Sequence, residues 1–456
     1  MPRTVINNGL IITMDPHRTV YAAGHVVVDG DAITQVGPGA AAIGRDDLVL
    51  DGTGCAILPG FVNTHHHLAS TLLRGMAPDR PLRVQASTES PSMRLHRVQD
   101  EEECYAGALL GLVELTRSGV TTTTDSQSPW KGMRKNDGSL RAANESGLRV
   151  VYSPAFVNRT EMVPSAHHFT VAEAVAEFDR LAATWSGGMV TVIPEVMSLP
   201  RGTDELIRSL ARAGNGRMAM HLTYSAEFAE WAQKEYGHTA IEHLDRLGVL
   251  GQGFLGAHPI YLSDREVQIY ADRGAAGAYC AVSNMLIGVG HLPLMRMREA
   301  GIRMGLGLDY PNHAHNFFET IKMSLLSQKQ LALDASIGDP GDALAWATID
   351  GAAALGLAEQ TGSLEPGKLA DLQVVDLQRA HLWPPTGVLS LLVYAGSPDA
   401  VRDVMAGGRW LMRDRQLVHL DEAAVMAHAA ALQQRMAEAV GIPPGPVVPN
   451  GWTLSR

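Results

Sequence analysis

The sequence predicts an α/β protein in which a (β/α)₈ TIM barrel carries a small β-sandwich domain built from both termini. Two residue patterns along the chain support this fold class. In the middle, apolar strand-like runs alternate with longer helical patterns, as in "EECYAGALLGLVELTRSG" followed by "VTTTTD", which is the order of a β/α fold. Near both ends, short β-branched runs are separated by Gly, Asp and Asn, which is typical of antiparallel strands joined by tight turns.

The two ends are expected to form a single domain. The N-terminal strand-like runs are "TVINNGLIITMD", "GHVVVDGDAITQVG" and "LVLDGTG", and the C-terminal ones are "GSLEPGKLADLQVVDL" and "VRDVMAGGRWLMRD". Neither end is long enough to bury a core of its own, so the two should pair. The predicted division is residues 1–56 and 366–420 for the sandwich, 57–365 for the barrel, and 421–456 for a C-terminal helix followed by an extended tail.

Composition limits the classes of function. The chain has 456 residues, of which 46% are hydrophobic and 19% charged, so it can bury a large globular core. Its formal net charge of -11 leaves no basic excess for holding nucleic acid. Cys55, Cys104 and Cys280 lie far apart without a C-x-x-C pair, which argues against a disulfide framework and indicates a cytoplasmic protein. No apolar stretch reaches the length of a membrane span, so no membrane partner is expected.

Three consecutive histidines in "LPGFVNTHHHLASTLLRG" follow a strand-like run. Residues two apart share a face of a strand, so His65 and His67 can point at one site while His66 points away. A metal ion needs further ligands. His221, His258 and Asp309 are candidates, because each ends or follows a short apolar or Gly-rich run.

The spacing of these candidates fits a barrel. In a (β/α)₈ barrel of roughly 250 residues, each unit takes about 30 residues. The intervals are 156 residues from His65 to His221, 37 from His221 to His258 and 51 from His258 to Asp309. They correspond to about four, one and two units, which places the residues after strands one, five, six and eight. All would then lie at the carboxyl-terminal face, where barrel enzymes carry their chemistry.

These motifs resemble the amidohydrolase superfamily, specifically its branch of methylthioadenosine/S-adenosylhomocysteine deaminases and triazine chlorohydrolases. The resemblance spans nearly the whole chain, and six motifs occur in the family's order. After the H-x-H segment with its L-L-R-G they are "SGVTTTTD", "GAHPIYLSDREV", "VSNMLIGVGHLPLMRMREAGI", "LGLD" and "TIDGAAALGLAEQTGSLEPGKLADLQVVDL".

The resemblance implies a single divalent metal ion, usually zinc and sometimes iron, held by His65, His67, His221 and Asp309. It implies that His258 lies beside the metal and orients water or substrate, with Asp309 also accepting a proton. A metal in such an open site lowers the pKa of bound water to about 7, so that hydroxide can attack an electron-poor ring carbon. The resemblance further implies a small heterocyclic substrate and a homo-oligomer, a dimer or larger.

The chain departs from the family pattern at several positions. Deaminases of this branch usually carry a proton-shuttling glutamate three residues after the fifth-strand histidine, where this chain has Tyr224. The fourth-strand P-H-A-P-Y of nucleoside deaminases is "PEVMSLP" here, with Glu195 near the missing histidine. The loop after the first strand is rebuilt as "RVQASTESPSMRLHRVQD", and "YPNHAHNFFE" brings His313 and His315 close to the metal face. The identity of the substrate therefore does not follow from the resemblance.

We expect Tyr224, Glu195, Asn284 and His313 to line the substrate pocket, although simpler roles remain open. Tyr224 could serve only for packing, and Glu195 could be structural. His313 could lie on the loop surface. His258 could be a buried core histidine in a strand-to-helix turn capped by Ser263 or Asp264.

Three functions remain open. The leading one is a metal-dependent hydrolase that removes an amino group from an N-heteroaromatic ring. The second is a hydrolase of triazine-like rings that expels chloride or an alkylamine, because chloride needs no proton to leave and Tyr224 replaces the usual shuttle. The third is a barrel that has lost turnover and persists as a binding protein.

Overall fold

The computed structural model describes residues 3–75, 90–127, 131, 134–159, 167–310 and 313–442. Its strands are, in chain order, β1 (Thr4–Ile12), β2 (Val20–Asp29), β3 (Ala32–Pro38), β4 (Leu48–Asp51), β5 (Cys55–Pro59), β6 (Phe61–Asn63), β7 (Val120–Gln127), β8 (Arg149–Phe156), β9 (Val190–Val192), β10 (Glu195–Ser198), β11 (Met218–His221), β12 (Phe254–Ala257), β13 (Ala276–Tyr279), β14 (Arg303–Leu306), β15 (Leu372–Asp376), β16 (Val401–Ala406), β17 (Arg409–Arg413) and β18 (Gln416–Leu417).

The α-helices of these residues are α1 (Pro91–Val98), α2 (Glu101–Arg117), α3 (Lys135–Ser146), α4 (Val171–Trp185), α5 (Asp204–Ala213), α6 (Ala226–Tyr236), α7 (Ala240–Leu247), α8 (Asp264–Asp272), α9 (Ala281–Ile287), α10 (Leu294–Glu299), α11 (Phe317–Ala332), α12 (Pro340–Trp346), α13 (Ile349–Ala354), α14 (Val388–Tyr394) and α15 (Glu422–Ala439). None of them is long and apolar enough to cross a membrane.

The middle of the chain forms a closed parallel barrel, which confirms the predicted fold class. Strands β6 to β14 pair in a ring, with β14 returning to β6 and β10 pairing with both β8 and β11. Strands β9 and β10 share the fourth barrel position and are interrupted at Pro194, which has no N–H to donate to a neighbouring strand. The ring therefore contains eight strand positions.

The lower part of the barrel is filled by apolar side chains. Six of them come from or directly follow different barrel strands, and three more come from α13 and the residue after it. The set is Val62, Val151, Ile193, Ala219, Leu255, Ala276, Ala352, Ala354 and Leu355. Because the lumen is packed at this end, a site for chemistry can open only at the carboxyl ends of the strands.

Both termini contribute to one nine-stranded sheet, as the sequence predicts. In this terminal sheet β15 runs antiparallel to β5, and β1 and β2 form an antiparallel hairpin. The expectation of antiparallel pairing throughout is wrong for β4 and β5, which both run parallel to β1. The reason is that β3 already runs in the direction of β1, and the connection of residues 39–47 returns the chain to the start of β1 before β4 begins.

Gly60 marks the passage from the terminal sheet into the barrel. Strand β5 belongs to the terminal sheet and β6 to the barrel, and the N–H of Gly60 between them donates to the carbonyl of Asp371. A Cβ on this glycine would lie 2.1 Å from the Thr121 side chain, so no larger residue fits. We propose that the two domains meet at Gly60, a few residues beyond the boundary expected from the sequence.

Helices α8 and α15 begin at capping residues that are recognisable in the sequence. Helix α8 begins after Ser263, whose hydroxyl accepts from the N–H of Glu266, so Ser263 is the cap. The predicted C-terminal helix is α15, which begins after the capping Asp421 and is followed by Gly441 at φ 66°. The predicted extended tail, residues 443–456, lies outside the described residues.

A buried ion pair joins the barrel to the terminal sheet. Arg149, at the start of β8, places Nε 3.1 Å from Asp371 Oδ2, and the N–H of Gly407 donates to Asp371 Oδ1 over 2.7 Å. Arg149 is 8% exposed and Asp371 1% exposed. A buried charge that loses its partner is strongly destabilising.

We therefore expect Asp371→Ala to lower the free energy of unfolding by about 3 to 5 kcal/mol, because Arg149 would stay buried without a counter-charge. Denaturant unfolding followed by circular dichroism measures this loss. The matched control is Asp264→Asn, which breaks the ion pair of an exposed carboxylate with Arg296 and should cost less than about 1 kcal/mol. Equal losses in the two variants would show that the Arg149 pair does not hold the domains together.

Candidate metal centre

Five candidate side chains meet at the carboxyl ends of the barrel strands. His65 and His67 follow β6, His221 ends β11, His258 follows β12 and Asp309 follows β14. The carbonyl of His65 accepts from the N–H groups of both Leu308 and Asp309, each at 3.0 Å. This pairing joins the loops after the first and last barrel strands, so the site forms only when the ring closes.

The side-chain atoms lie within ligand distance of one another. Nε2 of His65 and Nε2 of His67 are each 3.3 Å from Asp309 Oδ1, and Nε2 of His258 is 3.5 Å from Asp309 Oδ2. Nε2 of His67 is 3.2 Å from Nε2 of His221. One ligand atom from each of His65, His221, His258 and Asp309 lies within 4.8 Å of all the others.

Two residues of the site have left-handed backbone conformations. His258 has φ 56° and Asp309 has φ 67°, a region that residues other than glycine seldom adopt. Hydrogen bonds hold both, since the N–H of His258 donates to Ala278 and that of Asp309 to His65. Unfavourable backbone conformations of this kind persist where the surrounding structure enforces them, commonly at functional sites.

The middle histidine of the triplet points away from the cluster. Nδ1 of His66 lies 2.7 Å from the backbone carbonyl oxygen of Asp309, and its ring packs 4.4 Å from the ring of His315. His66 is fully buried. It therefore supports the backbone of Asp309 from behind and presents no atom to the site.

The electrostatics of the cluster suit metal ligands. Burial lowers the pKa of His65 to about 3 and that of His221 well below its ordinary value, so both imidazoles are neutral. Burial opposes ionisation of Asp309, but the adjacent His258, His65 and His67 hold its pKa well below the usual range. In contrast, and against the effect of their burial, Asp309 raises the pKa of His67 and of His258. The site thus offers the neutral imidazoles of His65 and His221 and the carboxylate of Asp309, the forms in which these side chains bind zinc.

The donor set fits one divalent cation. Nε2 of His65 is buried and makes no hydrogen bond to any described residue. Nε2 of His67 faces Nε2 of His221, and two lone pairs this close repel unless a proton or a cation is present. Both observations are expected of a site built for a metal ion.

Hydrogen bonds orient the members of the cluster. Nδ1 of His67 lies 2.7 Å from the carbonyl oxygen of Ser126, and Nδ1 of His258 lies 3.0 Å from Oδ1 of Asn284. The Ser283 hydroxyl donates to Asp309 Oδ2 over 2.5 Å. Asn284, expected to line the substrate pocket, is 2% exposed and contacts His258.

Ser126 and Ser283 have no sequence pattern of their own that predicts these contacts. Ser283 directly precedes Asn284 in the "VSNM" motif, and Ser126 follows "VTTTTD" at the end of β7. In the sequence, only their positions beside family motifs indicate that these serines could lie near the site. A serine in such a place is common without any role, so only the contacts reveal its function.

The remaining predicted pocket residues lie in different surroundings. Glu195 is 1% exposed, with Oε1 3.1 Å from Nδ1 of His221. Tyr224 is half-buried and its ring lies 5.3 Å from that of Phe228. The ring nitrogens of His313 lie 2.8 and 3.1 Å from the carbonyl oxygens of Ala314 and Leu308, so this ring is bound by its own loop.

The chain is similar to known proteins over nearly its whole length. The Amidohydrolase family matches residues 56–411. The 5-methylthioadenosine/S-adenosylhomocysteine deaminase of Pelotomaculum thermopropionicum is 32% identical over 445 residues, covering 94% of this chain and 98% of the relative.

Solved structures with the same fold include zinc enzymes. An adenosine deaminase from Xanthomonas campestris with bound zinc superimposes with a TM-score of 0.87 at 26% identity, covering 95% of this chain and 98% of that chain. Atrazine chlorohydrolase from Arthrobacter aurescens TC1, complexed with zinc, has a TM-score of 0.86 at 21% identity, covering 94% of this chain and 100% of that chain. The latter similarity shows the shared fold.

The chain belongs to the amidohydrolase family. It is accordingly a metal-dependent hydrolase that acts on carbon–nitrogen bonds, as its motifs predict.

Gly307 allows the last barrel strand to approach His65. A Cβ added at this position would lie 3.0 Å from His65 Cβ and 2.8 Å from Cys280 Sγ. We expect Gly307→Ala to displace His65 and lower the bound metal per chain to less than half of the parent value, measured by elemental analysis of the folded protein. Gly251→Ala, where an added Cβ meets nothing within 4 Å, is the control and should keep full metal content. Full metal content in Gly307→Ala would contradict the tight fit around His65.

Proposed function

We propose that this protein removes an amino group hydrolytically from an N-heteroaromatic small molecule, using one zinc ion. The observation that carries the proposal is the convergence of His65, His67, His221, His258 and Asp309 at the open end of the barrel. Deaminases of adenosine derivatives among its relatives support an amino-substituted ring as the substrate.

The proposed metal ligands are His65, His67, His221 and Asp309. The two oxygens of Asp309 support a division of roles. Oδ1 faces Nε2 of both His65 and His67, whereas Oδ2 accepts from Ser283 and faces His258. We infer that Oδ1 is the metal-binding oxygen and that His258 stands on the side of the reacting ring.

The chemistry follows from these placements. A divalent metal held there would lower the pKa of a bound water to about 7 and so would supply a nucleophile at neutral pH. Asp309 would accept the proton of the attacking water at Oδ2, where Ser283 fixes the orientation of the carboxylate. Asn284 holds Nδ1 of His258, which leaves Nε2 to exchange a proton with the departing group. Tyr224 shapes the pocket beside His258.

Expulsion of chloride or an alkylamine from a triazine-like ring is a second candidate. The observation in its favour is Tyr224, which stands where many deaminases carry a proton-shuttling glutamate. Phenols are poor proton shuttles at neutral pH, and chloride needs no proton to leave.

We also propose that the enzyme works in the cytoplasm as a homo-oligomer. The three cysteines support a reducing compartment, since Cys55, Cys104 and Cys280 are all free and buried. No disulfide links the described residues.

A substrate screen tests the function directly. Amino- and chloro-substituted purines, pyrimidines, pterins and triazines are incubated with the zinc-loaded enzyme, and released ammonia and chloride are measured. Ammonia from an amino-substituted ring is the expected product. Chloride release alone would favour the second candidate, and no release with full metal occupancy would contradict both.

Single substitutions in the histidine triplet test the ligand set. His67→Ala and His221→Ala remove an imidazole from the cluster, so each should lose most of the bound metal and all measurable turnover. His66→Asn should retain about one metal ion per chain, since the His66 ring contacts His315 and the backbone of Asp309. Elemental analysis of the purified variants measures the metal. Equal loss from His66→Asn would show that a different histidine pair binds it.

The proton route is tested at Tyr224 and His258. Tyr224→Phe should retain most of the turnover, because the Tyr224 hydroxyl does not transfer a proton in the proposed reaction. His258→Gln should lower kcat at least about a hundredfold, in the range of a lost general acid or base. Metal content is measured alongside, since loss of metal would mimic a catalytic defect. An inactive Tyr224→Phe with full metal occupancy would make the hydroxyl catalytic.

A further inference from the structure

Ser126, at the end of β7, touches two parts of the metal centre at once. Its carbonyl oxygen lies 2.7 Å from Nδ1 of His67, and its hydroxyl donates to Oε1 of Glu195 over 3.0 Å. The carbonyl can only accept, so Nδ1 of His67 carries the proton of that bond. The Nε2 lone pair of His67 is thereby left facing the centre.

Glu195 repeats this arrangement for His221. Its Oε1 lies 3.1 Å from Nδ1 of His221, on the side of the ring opposite Nε2. A carboxylate oxygen and an unprotonated imidazole nitrogen would repel at this distance, so a proton on Nδ1 relieves the contact. The Nε2 lone pair of His221 then also faces the centre. The two Nε2 atoms, of His221 and His67, lie 3.2 Å apart.

Glu195 is buried among the strands of the barrel. It is 1% exposed and opens β10, where its backbone pairs with Ala155 of β8 and Ala219 of β11. Its side chain borders a small internal cavity in the barrel lumen together with Thr124 and Ser153. The carboxylate thus lies behind His221, away from the open end where a ring could enter.

We propose that Glu195 and Ser126 are positioning residues that hold His221 and His67 in the tautomers whose Nε2 atoms face the metal. The Ser126 hydroxyl donates to Glu195 Oε1, which in turn lies 3.1 Å from Nδ1 of His221, so one hydrogen bond and one close carboxylate–imidazole contact connect strands β7, β10 and β11. This inference rests on the proposed metal site and gives Glu195 a role other than substrate binding. Carboxylate and carbonyl partners of ligand histidines commonly change metal affinity in this way.

Zinc binding to the metal-free full-length protein tests the proposal. Zn²⁺ is titrated against a competing chelator for the parent, Glu195→Ala, Glu195→Gln and Ser126→Ala. Glu195→Ala should weaken zinc binding by about tenfold to a hundredfold. Glu195→Gln should weaken it less, because an amide oxygen can still face Nδ1 of His221 at the 3.1 Å contact. Ser126→Ala keeps its carbonyl for His67 and should fall between the parent and Glu195→Ala.

Thr124→Val is the matched control in the same lumen. The Thr124 hydroxyl is buried and makes no hydrogen bond to a described residue, so its replacement should leave zinc affinity unchanged. The visible spectrum of the Co²⁺-substituted proteins adds a second readout, since a displaced imidazole changes the ligand field. The spectrum of Glu195→Ala should differ from that of the parent, and that of Thr124→Val should not.

Each result decides a different point. If the parent binds zinc and a folded Glu195→Ala binds it equally well, the positioning role is wrong. An increase in KM with unchanged zinc affinity would instead make Glu195 a substrate contact and also overturn it. Should Glu195→Ala fail to fold, parent-like affinity in both Glu195→Gln and Ser126→Ala overturns it. A parent that binds no zinc refutes the proposed metal site itself.

Discussion

The carboxylate of Asp309 is the interaction on which the rest of the site depends. Three histidines, His65, His67 and His258, approach its two oxygens within 3.3 to 3.5 Å in a buried space. Buried imidazole rings need hydrogen-bonding or charged partners in place of water. For several rings at one place, a single anion or cation can be that partner. Asp309 provides the anion, and its backbone carbonyl accepts from His66. Side chain and backbone of one residue thus hold the triplet on both faces.

Closure of the barrel is what brings Asp309 to the triplet. His66 and Asp309 are 243 positions apart, and the hydrogen bond between them forms because β14 pairs with β6. The positive φ of Asp309 then turns its carboxylate toward the centre. The apolar filling of the lower lumen leaves the carboxyl end as the place for polar groups, where the low dielectric makes their interactions strong.

Glu195 and Tyr224 depart from the pattern expected of the family, while the cluster of histidines and Asp309 is kept. At the fourth strand, a carboxylate stands near the place of the histidine of nucleoside deaminases, and it lies against His221 instead of the opening. After the fifth strand, an aromatic ring stands where many relatives carry a glutamate, and it packs on Phe228. Both changes alter the surroundings of the reacting ring while the histidines and Asp309 remain.

The sequence by itself determined the fold class, the order of the strands and the positions of the candidate ligands. Period-two spacing separated His65 and His67 from His66, and intervals of whole barrel units placed His221, His258 and Asp309 at one face. These features follow from local periodicity and from chain length, which one sequence records. The capping of α8 by Ser263 was likewise local.

Only the tertiary structure decided the contacts between distant residues. The directions of β4 and β5, the bond from Ser283 to Asp309 and the place of Glu195 behind His221 all depend on which strands become neighbours. A serine or a glutamate has the same local pattern whether it faces substrate, supports a ligand or packs in the lumen. Its role is set by atoms 26 to 69 positions away along the chain, which the folded barrel brings to about 3 Å.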